Sequence, residues 1–222
     1  MSINEKKPPL KETVGAQYIC FNKMDENNQW TNNFDTEVEK TEVVKTVTVT
    51  ENSNPSNVYA SGKLYDSDTE TSKIEIEVSV IAFPDETLSK MRGDLVDEGG
   101  LILSGGKRVR PYFAYGKVVK LKGGKVRYDW YPKCKLSENS DSANTKEESF
   151  SEQTDTIKIT AYPFNDAGDL VAKVSSQVNW PDGLTEEAFF SKPVLTKEDL
   201  SSVLVVASSQ TTPQTTSYDE EN

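Results

Sequence analysis

Histidine is absent from the 222 residues of this sequence, and cysteine occurs only at Cys20 and Cys134. Without histidine the chain lacks the commonest general base, the Ser-His and Cys-His dyads and the usual metal ligand. Two cysteines so far apart favour neither a disulfide scaffold nor a cysteine-based zinc site. We therefore predict a protein that is not an enzyme, with no catalytic residue, cofactor or metal site.

Long apolar runs and an excess of positive charge are also missing. No stretch approaches the roughly 18 apolar residues of a transmembrane helix, and the N-terminus lacks the apolar segment of a secretory signal. The net charge is -11, from 25 Lys and Arg against 36 Asp and Glu. Nucleic acids and anionic membranes are polyanions, so this composition argues against a general binder of either. We expect a soluble protein made in the cytoplasm.

What the sequence does contain is β-type alternation. A strand is predicted from about Val43 in VVKTVTVT, and the turn residues of ENSNPSN are expected to end it. Further extended runs follow at NVYASGKLYD and KIEIEVSVIA, and in the second of these apolar and polar residues alternate. TIKITAYP and DLVAKVSSQVNW predict two later strands, the latter alternating as far as Val178 and Trp180. The fold class is therefore predicted as mainly β, a sandwich or barrel.

Helical spacing appears near residues 84–98, where Leu88, Met91 and Leu95 recur after Pro84 and before a glycine pair. We predict one helix there that flanks the sheet, and a second, short helix in LTEEAFFSK. A polar segment near residues 138–151 predicts a long loop. The predicted organisation is a partly irregular N-terminal arm (1–40), a β domain (41–207) and a flexible acidic tail (208–222).

Two alternating runs joined by Gly123-Gly124 predict a β-hairpin with a two-residue loop. In that register Lys122 faces Lys125, Leu121 faces Val126, Lys120 faces Arg127 and Val119 faces Tyr128. The predicted core face then carries Tyr115, Val119, Leu121, Val126, Tyr128 and Trp130. The predicted outer face carries Lys120, Lys122, Lys125, Arg127 and Asp129.

Charge is unevenly distributed along this region. Residues 107–135 hold ten Lys and Arg against one Asp, a net charge of +9, whereas residues 138–155 hold six acids and one Lys, a net charge of -5. One interpretation is a set of solvated lysines on an outer face. Our hypothesis is that the basic hairpin and the acidic loop meet across subunits and fix their register. The candidate contact residues are Lys120, Lys122, Lys125, Arg127, Glu138, Asp141, Glu147 and Glu148.

A family resemblance rests on the order of several pieces. The run PYFAYGKVVKLKGGKVRYDWYPKCKLSENSDSANTKEESFSEQTDTIKITAYP contains an aromatic strand, a lysine-rich hairpin, an aromatic return strand, a polar loop with paired glutamates and a further strand. Upstream, LYDSDTETSKIEIEVSVIAFPDETLSKMRGDLVDEGG supplies a strand and a helix. From about Leu64 to Val178 the chain resembles the major tail proteins, or tail tube proteins, of siphophages that infect Gram-positive bacteria.

The resemblance implies a virion protein, assembled in the host cytoplasm, whose hexameric rings stack into the tube through which phage DNA passes. It implies contacts between rings through a loop, for which residues 138–151 are the candidate. Its implied partners are further copies of itself and the tape-measure, terminator and baseplate or initiator proteins, with no membrane.

Three alternatives remain at this stage. A carbohydrate- or receptor-binding β-sandwich would use exposed aromatics such as Trp30 or Trp180. A nucleic-acid binder would use the basic hairpin and stack bases on its interleaved aromatics, although we favour an ordinary core role for these aromatics. The third alternative is an enzyme, for which the sequence offers no catalytic residue.

Overall fold

The computed structural model describes residues 7–60, 63–141 and 154–209. Ten strands and three helices occur in these ranges, in this order: β1 Lys11–Phe21, β2 Glu39–Thr41, β3 Val44–Ala60, β4 Lys63–Val80, α1 Asp85–Arg92, β5 Leu95–Val96, β6 Ile102–Leu103, β7 Phe113–Leu121, β8 Lys125–Ser140, β9 Asp155–Ala161, β10 Ala172–Ser175, α2 Glu186–Phe190 and α3 Lys197–Ser209. The prediction of a mainly β fold is confirmed.

Eight strands form one antiparallel sheet in the order β2-β1-β7-β8-β9-β4-β3, with β10 added beside the first half of β8. β8 has three neighbours: it pairs with β7 along one edge, and along the other edge its first half pairs with β10 and its second half with β9. A small separate sheet consists of β5 and β6. The N-terminal segment (1–40) was expected to be a partly irregular arm outside the β domain, but it contributes β1 to the main sheet, between β2 and β7.

Two apolar cores flank the central strands. The first lies between the inner faces of β4 and β9 and those of β1, β7 and β8, and it contains Ile76, Ile159 and Tyr115. The second lies on the opposite face of β1, β7 and β8, where α2 and α3 cover Trp130 and Tyr18. The central strands are therefore buried on both faces, which is unusual for a chain with 35% hydrophobic residues.

The long hairpin β3–β4 corrects the prediction that ENSNPSN ends a strand. β3 continues through this segment to Ala60, paired residue by residue with β4 from Val44 opposite Val80 to Ala60 opposite Lys63. Pro55 is compatible with the pairing because β3 is the last strand in the sheet order, where a missing N–H breaks no ladder with a further neighbour. The sequence pattern misled because turn-forming residues also occur in edge strands.

The β7–β8 hairpin corrects both the predicted register and the predicted faces. Leu121 faces Lys125 and Lys120 faces Val126, so Lys122 joins the two glycines in a three-residue loop. The register is shifted by one residue, which changes every cross-strand partner. Tyr115 and Trp130 consequently lie on opposite faces, each in a different core, and Asp129 is buried instead of outward-facing.

The helices also differ from the predicted ones. α1 ends at Arg92 because Gly93 adopts a left-handed conformation, with φ of 70°, and a Cβ there would lie 2.5 Å from the carbonyl oxygen of Val109. The predicted short helix is confirmed as α2. α3 was not predicted, and the expected strand through Val178 ends at Ser175. The first two residues of the expected tail (208–222) belong to α3, and the rest of it lies outside the described residues.

Candidate assembly surfaces

The tip of the β7–β8 hairpin carries three of the predicted contact residues. Lys120, Lys122 and Lys125 are all exposed, and the backbone N–H of Lys122 donates to the carbonyl of Leu10 at 2.8 Å. This bond ties the tip to the start of β1. The structure thus presents three ammonium groups on a hairpin whose tip is held against the start of β1. We name Lys120, Lys122 and Lys125 the basic tip.

Arg127 does not belong to the basic tip. Its guanidinium turns toward the buried Asp129, with Nε 3.0 Å from Oδ1 and Nη2 donating to Oδ2 at 3.0 Å. Lys120 faces Val126 in the observed register, so the predicted opposition of Lys120 and Arg127 is wrong. The expected repulsion between that pair is therefore absent.

The two acidic candidates that the structure describes lie at the C-terminal end of β8. Glu138 is exposed and accepts a hydrogen bond from Lys158 on β9 at 2.8 Å, and Asp141 is exposed just past the strand. Strand β8 extends to Ser140, so the predicted loop begins later than residue 138. Glu147 and Glu148 lie outside the described residues.

β8 separates the basic tip from these acids. Lys125 begins the strand and Glu138 lies near its other end. At about 3.3 Å per residue the two positions are about 40 Å apart. The basic tip and the acidic end, by which we mean Glu138 and Asp141, therefore do not meet within one subunit.

A polar face covers the outer side of β4 and β9. Glu75, Glu77 and Lys158 line a shallow depression of about 420 Å³ on this side, together with threonines of β3 and β9. Lys73 and Lys158 each have a carboxylate partner on this face: Lys73 lies 2.8 Å from Glu75, and Lys158 lies 2.8 Å from Glu138. The face is hydroxyl-rich and carries three carboxylates against two ammonium groups.

An apolar arm projects after α1. In the small sheet formed by β5 and β6, Leu95 and Val96 are each 61% exposed and Leu103 is 49% exposed. Asp94 accepts a hydrogen bond from Ser104 at 2.6 Å, and Arg108 donates to the carbonyl of Leu103, so the arm is closed by polar contacts at its base. Exposed apolar clusters of this kind are typical of protein contact surfaces.

A buried polar row crosses the central strands, and sequence reasoning missed it. Gln17 on β1 faces Lys117 on β7, which faces Asp129 on β8. Gln17 and Asp129 are each 1% exposed and Lys117 is 5% exposed. The available signal was Asp129 itself, the one acid among the ten bases of residues 107–135.

The positive charge of Lys117 is only partly balanced by the other residues of this row. Its Nζ lies 3.6 Å from Asp129 Oδ2, a carboxylate that Arg127 already contacts at 3.0 Å on both oxygens. Burial lowers the pKa of Lys117, and the positive charge of Arg127 acts in the same direction, whereas Asp129 raises it. Gln17 donates from Nε2 to Thr41 at 2.8 Å, while its buried Oε1 has no hydrogen-bond partner among the described residues.

The aromatic residues are largely accounted for by packing. Phe113, Tyr115, Tyr128, Trp130 and Tyr131 are buried, which agrees with the core interpretation of these side chains. Trp180 packs edge-on against Tyr128 with ring centroids 5.1 Å apart. Trp30 contacts Phe34, and the ammonium group of Lys133 lies 5.2 Å from its ring centroid. Neither tryptophan stands free as a sugar-stacking platform.

Both cysteines are buried free thiols. Burial raises the pKa of Cys20 to about 12, and burial also raises the pKa of Cys134. Such thiols stay protonated near neutral pH and react slowly. Among the residues that the structure describes, no group of three or more His, Cys, Asp or Glu side chains is arranged to hold a metal ion. In the same ranges, no helix combines the length and apolar character needed to cross a membrane.

Comparison with known proteins gives one family match. A family model described as phage tail tube protein matches residues 33–200, which is more than half of the chain. No curated protein sequence matches. A chain in the cryo-EM structure of the anti-feeding prophage baseplate, 6-fold symmetrised, is 7% identical, with 77% of this chain and 97% of that chain covered. The TM-score of 0.40 is too low to establish a shared fold.

Proposed function

Since this chain belongs to the phage tail tube protein family, we propose that it is a structural protein of the virion tail that polymerises as stacked hexameric rings. In this proposal the rings form the tube through which double-stranded DNA passes into the host, and the protein has no catalytic role. Its partners are other copies of itself and the tape-measure, terminator and baseplate or initiator proteins. Assembly takes place in the host cytoplasm, without a membrane.

The observation that carries the proposal is the charge polarity of the subunit. The basic tip and the acidic end lie about 40 Å apart along β8, too far to pair within one copy. A subunit with complementary patches at opposite ends suits heterologous, head-to-tail contacts, which generate rings and open tubes. Such contacts set register and orientation more than affinity. We propose that the basic tip of one copy contacts the acidic end of another.

As a second element of the proposal, the polar face of β4 and β9 lines the inside of the tube. DNA slides along a wall only if its phosphates find no strong cationic partners. On this face Lys73 and Lys158 are each held by a carboxylate, and Glu77 adds a further negative charge. A wall of threonines and paired charges favours passage over adhesion.

The test is negative-stain electron microscopy with light scattering on the purified chain over a range of concentration and salt. We expect rings or hollow tubes for the wild type. The double variant K122E/K125E should lower the assembled fraction about tenfold, which corresponds to about 1.4 kcal/mol of contact free energy. The combined charge swap with E138K/D141K should restore assembly, because it recreates opposite charges at the two ends.

A matched control separates local contacts from net charge. K23E/K197E makes the same change in net charge at two exposed lysines away from the basic tip. If this control impairs assembly as strongly as K122E/K125E, the contact is not local and the proposed pairing is wrong. A wild-type chain that stays monomeric under every condition, including with tail initiator proteins added, would contradict the tube proposal itself.

A further inference from the structure

A charged cleft opens beside the buried polar row. It is a cavity of about 210 Å³ lined by Lys11, Glu51, Lys117, Arg127, Asp129 and Lys173, among others. A second depression of about 360 Å³ shares Lys11, Lys117 and Arg127 with it. Strands β1, β3, β7, β8 and β10 all contribute, so the walls belong to the sheet and not to a loop. We call this cavity the charged cleft.

The charges in the cleft do not balance. Four cations, Lys11, Lys117, Arg127 and Lys173, face two carboxylates, Glu51 and Asp129. Within the buried part, the carboxylate of Asp129 is engaged by Arg127 through two contacts of 3.0 Å and by Lys117 through one contact of 3.6 Å. One buried carboxylate thus serves two cations. A buried cation without full compensation is unfavourable, and an incoming anion relieves it.

We infer that the charged cleft binds a single carboxylate, supplied by a side chain of a second copy of this chain. The inference rests on the proposed function, because a second copy lies next to the charged cleft only if identical subunits assemble. Lys117 and Arg127, which line both depressions, are the residues that would receive the carboxylate.

The size and accessibility of the cleft favour a carboxylate side chain over DNA. A cavity of about 210 Å³ has room for one oxyanion and its stem. Lys117 is only 5% exposed, so a phosphate held in a stiff duplex backbone does not reach it, whereas a Glu or Asp side chain can enter between strands. The chain carries 36 acidic against 25 basic residues, so its own surface supplies carboxylates in excess. Charge complementarity therefore identifies a second copy as the occupant.

The first experiment tests the cleft on the dispersed full-length chain. Acetate, inorganic phosphate and chloride are compared at equal ionic strength, and the midpoint of thermal unfolding is recorded. Acetate at about ten times its dissociation constant should raise the midpoint by about 3–5 °C relative to chloride. The variant K117M should lose this response. K120M, which removes an exposed lysine of the same strand on its opposite face, should keep it.

Two results would contradict the proposal that the charged cleft binds a carboxylate: an equal acetate response in K117M and the wild type, or no acetate response at all. A response to phosphate alone would overturn the carboxylate as its ligand. Should K117M fail to fold, ¹⁵N-lysine NMR of the wild type decides the question, because acetate binding should raise the pKa of the Lys117 ammonium group and leave the Lys120 resonance in place.

The second experiment tests the source of the carboxylate by measuring assembly. K117M should lower the assembled fraction about tenfold relative to K197M, a control that removes an exposed lysine outside both the charged cleft and the basic tip. Acetate should inhibit wild-type assembly more than chloride does at equal ionic strength. Normal assembly of K117M together with a positive acetate response would show that the carboxylate comes from a free solute. A wild type that never assembles overturns the proposed function and the second copy as the source, while the acetate response still decides whether the cleft binds carboxylates.

Discussion

Strands β4 and β7 differ in how many of their faces are buried. In β4, Ile74, Ile76, Val78 and Val80 are buried, while Glu75 and Glu77 between them are exposed. In β7, seven consecutive residues from Phe113 to Val119 are buried, because one face meets the first core and the other meets α2 and α3. A strand buried on one face displays its register in its sequence. A strand buried on two faces does not display its register in this way. A charged residue within it, such as Lys117, then suggests a solvent-exposed position although it is buried.

The largest expected effect tests whether the helix-covered face of β7–β8 is a true core. In W130A the indole loses its contact with Phe190, whose ring centroid is 5.2 Å away, and the hydrogen bond from Nε1 to the carbonyl of Phe189. We expect the free energy of unfolding to fall by about 3–5 kcal/mol. Urea unfolding of the dispersed chain measures it. W130F, which keeps a ring in place, is the control and should lose less; a W130A loss below 1 kcal/mol would mean that the helices merely lie on the sheet.

An intermediate effect is expected in the strand buried on one face. V78A removes two methyl groups from a fully buried site and should cost about 2 kcal/mol, whereas E77A next to it should change the free energy of unfolding by less than about 0.5 kcal/mol. Chemical denaturation of both variants gives the comparison directly. Similar losses at the two positions would contradict one-sided burial of β4.

The smallest effect concerns the N-terminus of α3, which helps to cover the second face. Asp199 accepts hydrogen bonds from the backbone of Leu195 at 3.2 Å and of Thr196 at 3.1 Å, and its own N–H donates to the Thr196 hydroxyl. Burial alone would raise the pKa of Asp199. The hydrogen bonds from the backbone of Leu195 and Thr196, together with the one from Thr196 Oγ1, lower this pKa below its usual value. D199A should cost about 1 kcal/mol at pH 7.

The pH dependence of this effect has a definite sign. A lowered folded-state pKa means that the ionised carboxylate stabilises the fold above the unfolded pKa of about 3.9 and that this contribution is lost as pH falls through the folded value. The difference between wild type and D199N should therefore shrink as the pH falls below about 4. D166N, at an exposed turn residue, should show no such trend; a difference between D199N and wild type that is constant with pH would contradict an ionic role for Asp199.

Most of the fold was predictable where the pattern had one period. The alternation of KIEIEVSV predicted β4, and the spacing after Pro84 predicted α1, although Gly93 rather than the later glycine pair ends that helix. The register of β7–β8 was not predictable, since two glycines allow loops of two or three residues. Grouping the charged residues on one outer face favoured the two-residue loop, which is wrong. β1 escaped prediction because its pairing partner β7 lies far along the chain.

The candidate surfaces were predictable in part. Lys120, Lys122, Lys125, Glu138 and Asp141 are exposed as expected, and their mutual contact stays a prediction. Arg127 was misplaced because a side chain at a strand position takes its direction from the register, which was shifted by one. The row of Gln17, Lys117 and Asp129 depends on three strands meeting, and a single sequence does not state which strands are neighbours.

The position of β1 in the sheet has a consequence for synthesis of the chain. Tyr18 pairs with Gly116, about 100 residues later, so β1 leaves the ribosome long before β7 exists. At about 5–20 residues per second, the wait is about 5–20 s. During that time the edge of β1 that pairs with β7 has no partner. A nascent or truncated chain that ends before β7 therefore lacks the central pairing of the sheet.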